Sequence, residues 1–421
     1  MKTLLISEVF PPQTGGSGRW FWEVYSRLPR ELVCVAAGEH AGGEEFDRGH
    51  EVNVVRLPLA MPTWGLRSVA GLRGYWRLYR ALKRLVRDER IRTVHAGCVL
   101  QEGWLAWMLN RWCGLPYVVY VHGEELNIGA NSRELAWMMR RVFGRAERVI
   151  VNSRNTGRLL QPWGVPAAKV TVLHPGVDTE RFCPIADCGL RIADSGNSIG
   201  NPKSEIRNSN SIRNPQSAIR NPVILTVGRL QKRKGQDMLI RALPRIREAV
   251  PGVVYAIVGD GDQRGALEGL ARETGVADCV RFLGEVGDAE MIRRYQQCDL
   301  FVLPNREVNG DIEGFGMVLV EAQACGKPVF AGDSGGTAET MQRGVTGEIV
   351  DCTSPETLAA AVIELLRDPA RRERMGRAAR DWAVERFDWA SLTAEAAELF
   401  GMTRAGAAFT DQPSPQFVAS R

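Results

Sequence analysis

The stretch from Phe301 to Thr337 reads FVLPNREVNGDIEGFGMVLVEAQACGKPVFAGDSGGT, and it decides the fold of this chain. The short apolar run Leu300–Leu303 predicts a fully buried strand. A loop rich in Asn, Gly and Asp follows, and Glu313-Gly314-Phe315-Gly316 is predicted to open a helix. Lys327-Pro328 ends that helix, and a second strand comes after it. Because strand, loop, helix and strand form the unit of an open α/β sheet, the loop lies where such sheets bind ligands.

Two glutamates of this stretch, Glu313 and Glu321, are eight residues apart, which is about two helical turns. We therefore expect both carboxylates on one face of the helix. The glycines Gly314 and Gly316 let a ligand approach the backbone, and free N–H groups at a helix N-terminus suit anionic or oxygen-rich groups. Because an acidic first turn followed by an ordinary paired glutamate gives the same spacing, the two glutamates alone do not establish a site.

The same residues resemble the E-x7-E signature of the retaining glycosyltransferases of family 4. The loop from Asn305 to Gly316 is most similar to that of the phosphatidylinositol-mannoside mannosyltransferase subgroup. The resemblance covers nearly the whole chain, and it implies the α/β fold named GT-B, in which two Rossmann-like domains face each other across a cleft. The activity that it implies is transfer of a hexose, with mannose as the first candidate, to a lipid-linked or glycan acceptor.

Composition limits the other classes of function. A chain of 421 residues is long enough for two domains, and its net charge of +5 is too weak to indicate nucleic acid as a partner. The nine cysteines form no C-x-x-C pair, so Cys34, Cys98 and Cys325 are expected to be reduced core thiols. Residues 1–10 lack the long apolar core of a signal peptide, and no apolar run approaches the roughly 18 residues of a membrane span. We therefore expect a cytoplasmic protein.

The N-terminal stretch combines a buried strand, Thr3–Ser7, with a loop that ends in Gly15-Gly16-Ser17-Gly18 and a helix from about Arg19 to Leu28. This geometry offers backbone N–H groups to a phosphate. The glycines depart from G-x-G-x-x-G, and no acidic residue is placed to bind a ribose, which disfavours a nicotinamide-dependent dehydrogenase. The resemblance implies that Gly15 and Gly16 contact the donor phosphate and the acceptor.

A helix predicted from Gly71 to Arg90 has an uneven charge distribution. Its apolar residues, including Leu72 and Trp76, are expected to line another face of the helix. Two interpretations stay open: a surface helix with solvated arginines, or contact with anionic lipid headgroups at the inner face of a membrane. The arginines at helical spacing are Arg73, Arg77, Arg80, Arg84 and Arg87.

A histidine stands at the carboxyl end of another strand, where Tyr117–Val121 leads into His122-Gly123-Glu124-Glu125. In this topology such a side chain points into the cleft, although a lone histidine is usually structural. The sequence resembles the V-H-G-x-E motif of the family, which implies that His122 contacts the sugar. His95 has a weaker case, because only its position near a strand end supports it.

The predicted domain organisation has five parts. Residues 1–182 form an N-terminal Rossmann-like acceptor domain, and residues 223–386 form a C-terminal Rossmann-like nucleotide-sugar domain. Between them, 183–222 repeats short units such as I-R-N-P, and this Asn-, Ser- and Pro-rich composition predicts a low-complexity linker insertion. Residues 387–403 are expected to form a helix that returns to the N-terminal domain, and 404–421 a disordered tail.

A basic loop opens the second domain, since the strand Val223–Val227 leads into Gly228-Arg229 and on to Lys234-Gly235. Charge and geometry both predict a phosphate site here. The resemblance singles out Arg229 and Lys234 as the clamp on the donor diphosphate. The pair Asp260 and Asp262 invites a metal-binding interpretation, but it sits late, in a second Rossmann-like domain, and we predict no metal ion.

The resemblance also implies how a nucleoside diphosphate sugar is bound, with GDP-mannose as the first candidate and no cofactor. Glu321 accepts hydrogen bonds from the ribose, Glu313 holds the sugar, and two fixed cations neutralise charge on the leaving diphosphate. His122, Arg229, Lys234 and Glu313 are then the predicted catalytic residues. The predicted donor-binding residues are Gly15, Gly16, Arg229, Lys234, Val286, Glu313, Gly314, Phe315, Gly316, Met317 and Glu321.

Two other functions are compatible with this architecture. A sugar-nucleotide 2-epimerase binds the donor without an external acceptor, so release of free nucleotide only when acceptor is added separates a transferase from it. A non-catalytic protein that binds nucleotide sugar at a membrane surface has no need of the intact set Arg229, Lys234, Glu313 and Glu321.

Overall fold

The computed structural model of the protein describes residues 1–13, 15–185 and 221–402. It contains two parallel β-sheets, each with apolar clusters on both faces, so the predicted α/β fold with two Rossmann-like halves is confirmed. Most of the predicted insertion and all of the predicted tail, residues 404–421, lie outside the described residues, and their predicted properties stay predictions.

Seven parallel strands form the first sheet. They are β1 (Thr3–Ser7), β2 (Val33–Gly38), β3 (Val54–Leu57), β4 (Thr93–Ala96), β5 (Tyr117–Val121), β6 (Arg148–Val151) and β7 (Val170–Val172). Their order in the sheet is β3-β2-β1-β4-β5-β6-β7. In β1, Leu4 and Ile6 face one apolar cluster and Leu5 faces the other. Because helices cover both faces, the central strands are continuous apolar runs.

The helices of this half connect successive strands. They are α1 (Gly16–Tyr25), α2 (Gly43–Arg48), α3 (Val69–Asp88), α4 (Gln101–Cys113), α5 (Glu124–Ala130), α6 (Arg133–Arg145) and α7 (Arg154–Arg158), with 3-10 turns at Arg30–Leu32, Gln161–Trp163 and Ala167–Lys169. Serine hydroxyls accept backbone hydrogen bonds at the starts of α3, α6 and α7, which fixes where these helices begin.

Six parallel strands form the second sheet. They are β8 (Val223–Val227), β9 (Val254–Val258), β10 (Val280–Gly284), β11 (Leu300–Leu303), β12 (Val329–Gly332) and β13 (Gly347–Val350). The order is β10-β9-β8-β11-β12-β13, so the direction of winding reverses between β8 and β11. The helices are α8 (Gln236–Ala249), α9 (Arg264–Glu273), α10 (Asp288–Gln297), α11 (Met317–Ala324), α12 (Pro355–Leu366), α13 (Pro369–Phe387) and α14 (Trp389–Leu399), with 3-10 turns at Lys232–Lys234 and Thr337–Thr340.

The last helix, α14, leaves the second sheet and packs against α1. Trp389 is buried in the same apolar cluster as Trp20 and Tyr25 of α1. Just before it, the Phe387 carbonyl accepts a hydrogen bond from the Val177 amide at 2.8 Å. The end of the described chain therefore covers the first half of the molecule.

The predicted bounds of two helices differ from those observed. Helix α1 begins at Gly16 rather than Arg19 and ends at Tyr25 rather than Leu28. Helix α3 begins at Val69, before the predicted start at Gly71, because the Ser68 hydroxyl accepts a hydrogen bond from the Gly71 amide and caps the first turn.

The cysteines named above are free thiols in the structure, as expected for Cys34, Cys98 and Cys325, whereas Cys183 is disulfide-bonded. Burial raises the pKa of Cys34 to about 12, which keeps that thiol protonated in the core. Among the helices of the described ranges, none combines the length and the apolar character needed to cross a membrane.

Candidate active site between the two sheets

Loops from the carboxyl ends of both sheets meet in one region. In the second sheet this region lies at the reversal between β8 and β11, which is where open α/β sheets bind ligands. The loop after β8 carries Lys234, and the loop after β11 carries Glu313. From the first sheet, the loop after β1 carries Gly15, and β5 ends next to His122. The sheet topology therefore collects predicted site residues that are far apart in the sequence.

Glu313 lies in the loop before α11 and is buried, with 8% of the residue exposed. The Lys234 ammonium donates to Glu313 Oε2 at 2.5 Å, and the Arg233 guanidinium donates to the same oxygen at 2.6 Å. Burial by itself raises the pKa of Glu313, but the two neighbouring cations outweigh it and hold the pKa below its ordinary value. Glu313 is therefore a buried, ionised carboxylate held by two cations.

Arg233 is a candidate site residue that was not predicted from the sequence. Besides Glu313, its guanidinium contacts Glu124 and Asp311, each at 3.2 Å. Because Glu124 belongs to α5 of the first half, Arg233 joins the two halves of the molecule. The run Lys232-Arg233-Lys234 offers three adjacent cations, and no local pattern indicates which of them is buried.

The local backbone decides which cations of the basic loop enter the site. Gly235 follows the 3-10 turn with φ of 75°, and a Cβ on it would lie 1.7 Å from the Pro304 carbonyl oxygen, so only glycine fits. The turn buries Lys234 and exposes Lys232. Arg229 is also exposed, and in the described part of the chain it is Lys234, not Arg229, that contacts Glu313.

Glu321 lies on α11, and 2% of the residue is exposed. Its Oε1 accepts a hydrogen bond from Arg19 Nη1 at 2.6 Å, and its Oε2 accepts one from the Tyr295 hydroxyl at 2.7 Å. Arg19 was not predicted as a site residue. The available signal was the glycine run just before it, which brings the first turn of α1 to the edge of the sheet.

The expectation that Glu313 and Glu321 share one helical face is wrong. Helix α11 begins at Met317, because Gly316 adopts the left-handed region with φ of 92° and separates the loop from the helix. The loop also packs closely, since a Cβ on Gly335 would lie 1.7 Å from the Glu313 carbonyl oxygen. Each glutamate therefore has its own set of partners.

His122 is half-buried at the end of β5. Its Nε2 lies 2.8 Å from the Gly97 carbonyl oxygen, which can only accept, so Nε2 carries a proton, and in the neutral ring Nδ1 is then an acceptor. The rings of Trp20 and Phe21 lie edge-on, with centroids 5.7 and 5.8 Å away. A Cβ on Gly314 would lie 2.8 Å from the His122 carbonyl oxygen, so the loop of Glu313 touches this residue.

His95 has a structural role. It is 2% exposed, and its Nδ1 lies 2.6 Å from the Tyr25 hydroxyl. Burial lowers its pKa to about 3, so the imidazole is neutral at physiological pH. The position of His95 near a strand end therefore reflects packing in the core and does not indicate a role in the site.

The remaining predicted donor residues lie in the same loops. Gly15 and Gly16 are exposed at the start of α1, and a Cβ on Gly16 would lie 4.0 Å from Met317 Sδ of the second half. The Phe315 ring is buried, so its backbone is the part that can face a ligand. Val286 is half-buried in the loop after β10 and packs on the apolar cluster of the second sheet.

The aspartates of the D-x-D sequence are engaged in local contacts. Asp260 accepts hydrogen bonds from the Gly261 amide at 2.7 Å and from Arg264 at 3.3 Å. Asp262 accepts one from Gln263 at 3.0 Å. Over the ranges that the structure describes, no group of three or more His, Cys, Asp or Glu side chains is arranged to hold a metal ion.

Helix α3 carries its predicted arginines on an exposed face. Its buried face includes Tyr75 and Leu82. Leu72 and Trp76, which the interpretation as a docked surface helix places against the sheet, are each 53% exposed, and the Trp76 ring meets that of the exposed Trp112 edge-on at 6.1 Å. The exposed arginines are Arg73, Arg77, Arg80, Arg84 and Arg87.

Two family models match the chain. The model described as Glycosyltransferase Family 4 matches residues 14–181, and the model described as Glycosyl transferases group 1 matches residues 208–382. Together they extend over both sheets. The family resemblance inferred from the stretch after β11 is therefore confirmed.

Similar proteins match along almost the whole chain. It is 34% identical to the GDP-mannose-dependent alpha-(1-6)-phosphatidylinositol monomannoside mannosyltransferase of Mycolicibacterium smegmatis, over 95% of this chain and 98% of the relative. The GDP-mannose-dependent monoacylated alpha-(1-6)-phosphatidylinositol monomannoside mannosyltransferase of Corynebacterium glutamicum is 29% identical over 92% and 94%.

Solved structures show the same arrangement of two sheets. Anabaena Alr3699/HepE in complex with UDP aligns with a TM-score of 0.73 at 20% identity, covering 96% of this chain and 100% of that one. Sucrose-phosphate synthase from Thermosynechococcus elongatus aligns with a TM-score of 0.73 at 21% identity, over 95% and 98%. With the family models and the relatives, these findings establish that the chain belongs to glycosyltransferase family 4 and is a glycosyltransferase of the GT-B fold.

Proposed function

We propose that this glycosyltransferase moves mannose from GDP-mannose to a glycolipid acceptor of the phosphatidylinositol-mannoside class, with retention of configuration. Relatives named as GDP-mannose-dependent mannosyltransferases of phosphatidylinositol monomannoside support the donor and the acceptor class. The observation that carries the chemistry is the buried Glu313 carboxylate, paired with Lys234 and Arg233 just before α11. The nucleotide sugar is a co-substrate, and the proposed reaction uses neither a cofactor nor a metal ion.

The reaction first requires that the negative charge on the leaving diphosphate be stabilised. Lys234 and Arg229 lie in one loop after β8, so both cations can face a diphosphate placed at the carboxyl end of that strand. Backbone N–H groups at the start of α11 add partial positive charge. Fixed positive groups of this kind stabilise the charge that develops as the glycosidic bond breaks.

The proposed transfer needs no covalent intermediate. The bond between C1 of mannose and the β-phosphate oxygen breaks, and the acceptor hydroxyl oxygen forms the new bond to C1 on the same face. The acceptor proton passes to the leaving phosphate oxygen. Glu313 accepts hydrogen bonds from sugar hydroxyls and fixes the sugar, while the Nδ1 acceptor of His122 contacts the sugar from the first half.

The nucleoside is assigned to the outer part of the same cleft. Glu321 has one protein hydrogen bond on each carboxylate oxygen, and each oxygen keeps a further lone pair for a ribose hydroxyl. The base is assigned to the loop after β10, where the backbone around Val286 is available. Gly15 and Gly16 allow the donor phosphate and the acceptor to approach the start of α1.

Helix α3 is the proposed contact with the acceptor membrane. Its five exposed arginines suit anionic headgroups, and the exposed rings of Trp76 and Trp112 suit the interface between headgroups and acyl chains. We expect the double variant Arg77→Glu and Arg80→Glu to lose sedimentation with phosphatidylinositol-containing vesicles. Arg377→Glu on α13 is the matched control, because Arg377 is also exposed. Equal binding of the wild type to purely neutral vesicles contradicts this assignment.

The test of the proposed function is a donor panel. GDP-mannose, UDP-glucose and UDP-N-acetylglucosamine are each incubated with the enzyme, with and without a phosphatidylinositol-mannoside extract, and nucleotide release is measured. We expect release of GDP only when GDP-mannose and the glycolipid are both present, with mannose recovered in α-linkage. Turnover of a UDP-sugar but not of GDP-mannose rules out the proposed donor.

The same panel separates the alternative functions. A sugar-nucleotide 2-epimerase converts its donor into the 2-epimer whether or not glycolipid is added, so glycolipid does not trigger nucleotide release. A non-catalytic binding protein releases none under any condition. The buried group of Glu313 with its two cations favours the transferase, because binding alone does not require charges fixed beside the sugar.

A further inference from the structure

Arg19 is the cation that holds Glu321, and it belongs to the opposite half of the molecule. The two side chains meet at 2.6 Å, with 16% of the Arg19 side chain and 3% of the Glu321 side chain exposed. The Arg19 guanidinium also lies over the Phe182 ring, 5.3 Å from its centroid. The pair is therefore largely shielded from water, and it connects α1 of the first half with α11 of the second.

A buried carboxylate depends strongly on its cation. Removing one partner of a buried ion pair is costly, because the remaining charge stays buried without compensation. The other group on Glu321 is the Tyr295 hydroxyl, which is neutral and cannot replace a guanidinium. Among the described residues, Arg19 is thus the cation in direct contact with this carboxylate.

We propose that Arg19 is a positioning residue of the nucleotide site. It holds the Glu321 carboxylate in the orientation that accepts the ribose hydroxyls, so the ribose site of the second half is complete only when α1 of the first half is in contact with it. This inference rests on the proposed function, in which Glu321 binds the ribose. Its consequence is that donor affinity depends on a residue outside the nucleotide-binding half.

The competing role for Arg19 is direct contact with the diphosphate. Its Nε is buried and has no hydrogen-bond partner within the described residues, so the guanidinium has a donor to spare. The proposed role affects binding of the ribose, whereas the competing role affects binding of the diphosphate. If Arg19 acts through Glu321, its removal affects only ligands that carry ribose hydroxyls.

The experiment measures binding of GDP and of 2′,3′-dideoxy-GDP by calorimetry. The full-length variants are Arg19→Ala, Arg19→Lys, Glu321→Gln and the double variant of Arg19→Ala with Glu321→Gln. Arg30→Ala is the matched control, because Arg30 is an exposed arginine of the same half, with 62% of its side chain accessible.

We expect Arg19→Ala to weaken GDP binding about 10- to 100-fold, which is the usual effect of losing a charge-assisted contact. Arg19→Lys should recover most of this loss, and Arg30→Ala should match the wild type. In the Glu321→Gln background, Arg19→Ala should change the affinity by less than about threefold. The dideoxy nucleotide should bind wild type and Arg19→Ala equally. In turnover, Arg19→Ala should raise the donor KM and leave kcat nearly unchanged.

Three results overturn the proposal: unchanged GDP affinity in Arg19→Ala, an equal loss for GDP and its dideoxy analogue, or a full loss in the Glu321→Gln background. If Arg19→Ala does not fold, the affinities of Arg19→Lys for GDP and for 2′,3′-dideoxy-GDP decide between the two roles. A loss of affinity for GDP alone supports the role through Glu321. Failure of the wild type to bind GDP instead rejects the proposed donor. The same variants are then measured with UDP and 2′,3′-dideoxy-UDP, because UDP carries the same ribose. If Arg19→Ala does not weaken UDP binding selectively, the inference about Arg19 is overturned.

Discussion

Glu313 and Glu321 are eight residues apart in the sequence, yet their partners come from different parts of the molecule. Glu313 is held by Lys234 and Arg233, which belong to the same half. Glu321 is held by Arg19, which belongs to the other half. The first carboxylate therefore takes both of its cations from its own half, although Arg233 also contacts Glu124 of the first half, whereas the second carboxylate takes its cation from the opposite half.

In the proposed reaction, this difference separates two tasks within one loop and helix. A group that stabilises the reacting sugar must be fixed before the reaction, and the two cations on Glu313 achieve that. A group that binds the nucleoside can instead report whether the halves are together, and the partner of Glu321 allows that. Variants at the two positions should therefore differ in which kinetic constant they change.

The largest expected effect is that of Glu313→Ala. Loss of the carboxylate removes the proposed contact to the moving sugar and takes from Lys234 and Arg233 the buried carboxylate that they share. We expect kcat to fall by about 10²- to 10³-fold, the usual effect of removing one group that stabilises the transition state. The measurement is steady-state turnover at saturating GDP-mannose. The control is Glu307→Ala, an exposed glutamate of the same loop. A kcat near that of the wild type, with native circular dichroism, would show that Glu313 does not hold the sugar.

The cations of the basic loop come next. Lys234→Ala and Arg229→Ala should each lower kcat/KM by about 10- to 100-fold, because a charge-assisted contact to a phosphate contributes roughly 1.5–3 kcal/mol. Lys232→Ala should match the wild type, since Lys232 is an exposed cation two residues from Lys234. If Lys232→Ala and Arg229→Ala were equally mild, Arg229 would be a solvated residue and Lys234 would act with Arg233 alone.

Much of this site could be predicted from the sequence. The strands were recognisable because both faces of each sheet are covered, so strands such as Leu300–Leu303 are short apolar runs. The glutamates and Lys234 were recognisable because they stand in family motifs next to glycines. Local sequence therefore identified the residues whose surroundings are built by their own strand and loop.

The missed features depend on contacts between distant parts of the chain. Arg19 and Glu321 are 302 residues apart, and Arg233 and Glu124 are 109 residues apart. No periodicity or motif reports such pairs. The exposure of Leu72 and Trp76 on α3 could not be predicted for the same reason, since apolar spacing shows that a face exists but not which neighbour covers it. The start of α11 was missed because it depends on the φ angle of Gly316.

Glu321→Ala should change a different kinetic constant from Glu313→Ala. A ribose contact is equally strong in the ground state and in the transition state, so its loss weakens binding without slowing the chemical step. We expect the KM for GDP-mannose to rise about 10-fold or more, with kcat within about twofold of the wild type. If kcat falls as far as it does in Glu313→Ala, the two glutamates share one task and the comparison above is wrong.

The pH dependence of stability should also reveal the ion pairs of Glu313. Its pKa lies below the ordinary value, so the stability that the carboxylate contributes is present above the unfolded-state pKa of about 4.3 and is lost as the pH falls through the folded-state pKa. The difference in Tm between the wild type and Glu313→Gln should be constant from about pH 8 to pH 5 and should narrow below about pH 4. Thermal scans across this range measure it. A difference in Tm that widens as the pH falls contradicts the lowered pKa of Glu313.

The smallest expected effect is that of removing metal ions. Two cations fixed on Glu313 and a third in the same loop provide the positive charge that a divalent ion supplies in other sugar transfers, so turnover should survive EDTA. The measurement compares initial rates in EDTA, in added Mg²⁺ and in added Mn²⁺, with a metal-dependent enzyme as the control for chelation. We expect the three rates to lie within about twofold of one another. The added salts screen exposed charges more than buried ones, so the buried cations should act almost equally in all three buffers. Loss of activity in EDTA with recovery on adding Mg²⁺ or Mn²⁺ would mean that the basic loop is not sufficient for the diphosphate. Asp260 and Asp262, which here contact Arg264 and Gln263, would then be the first residues to test as ligands.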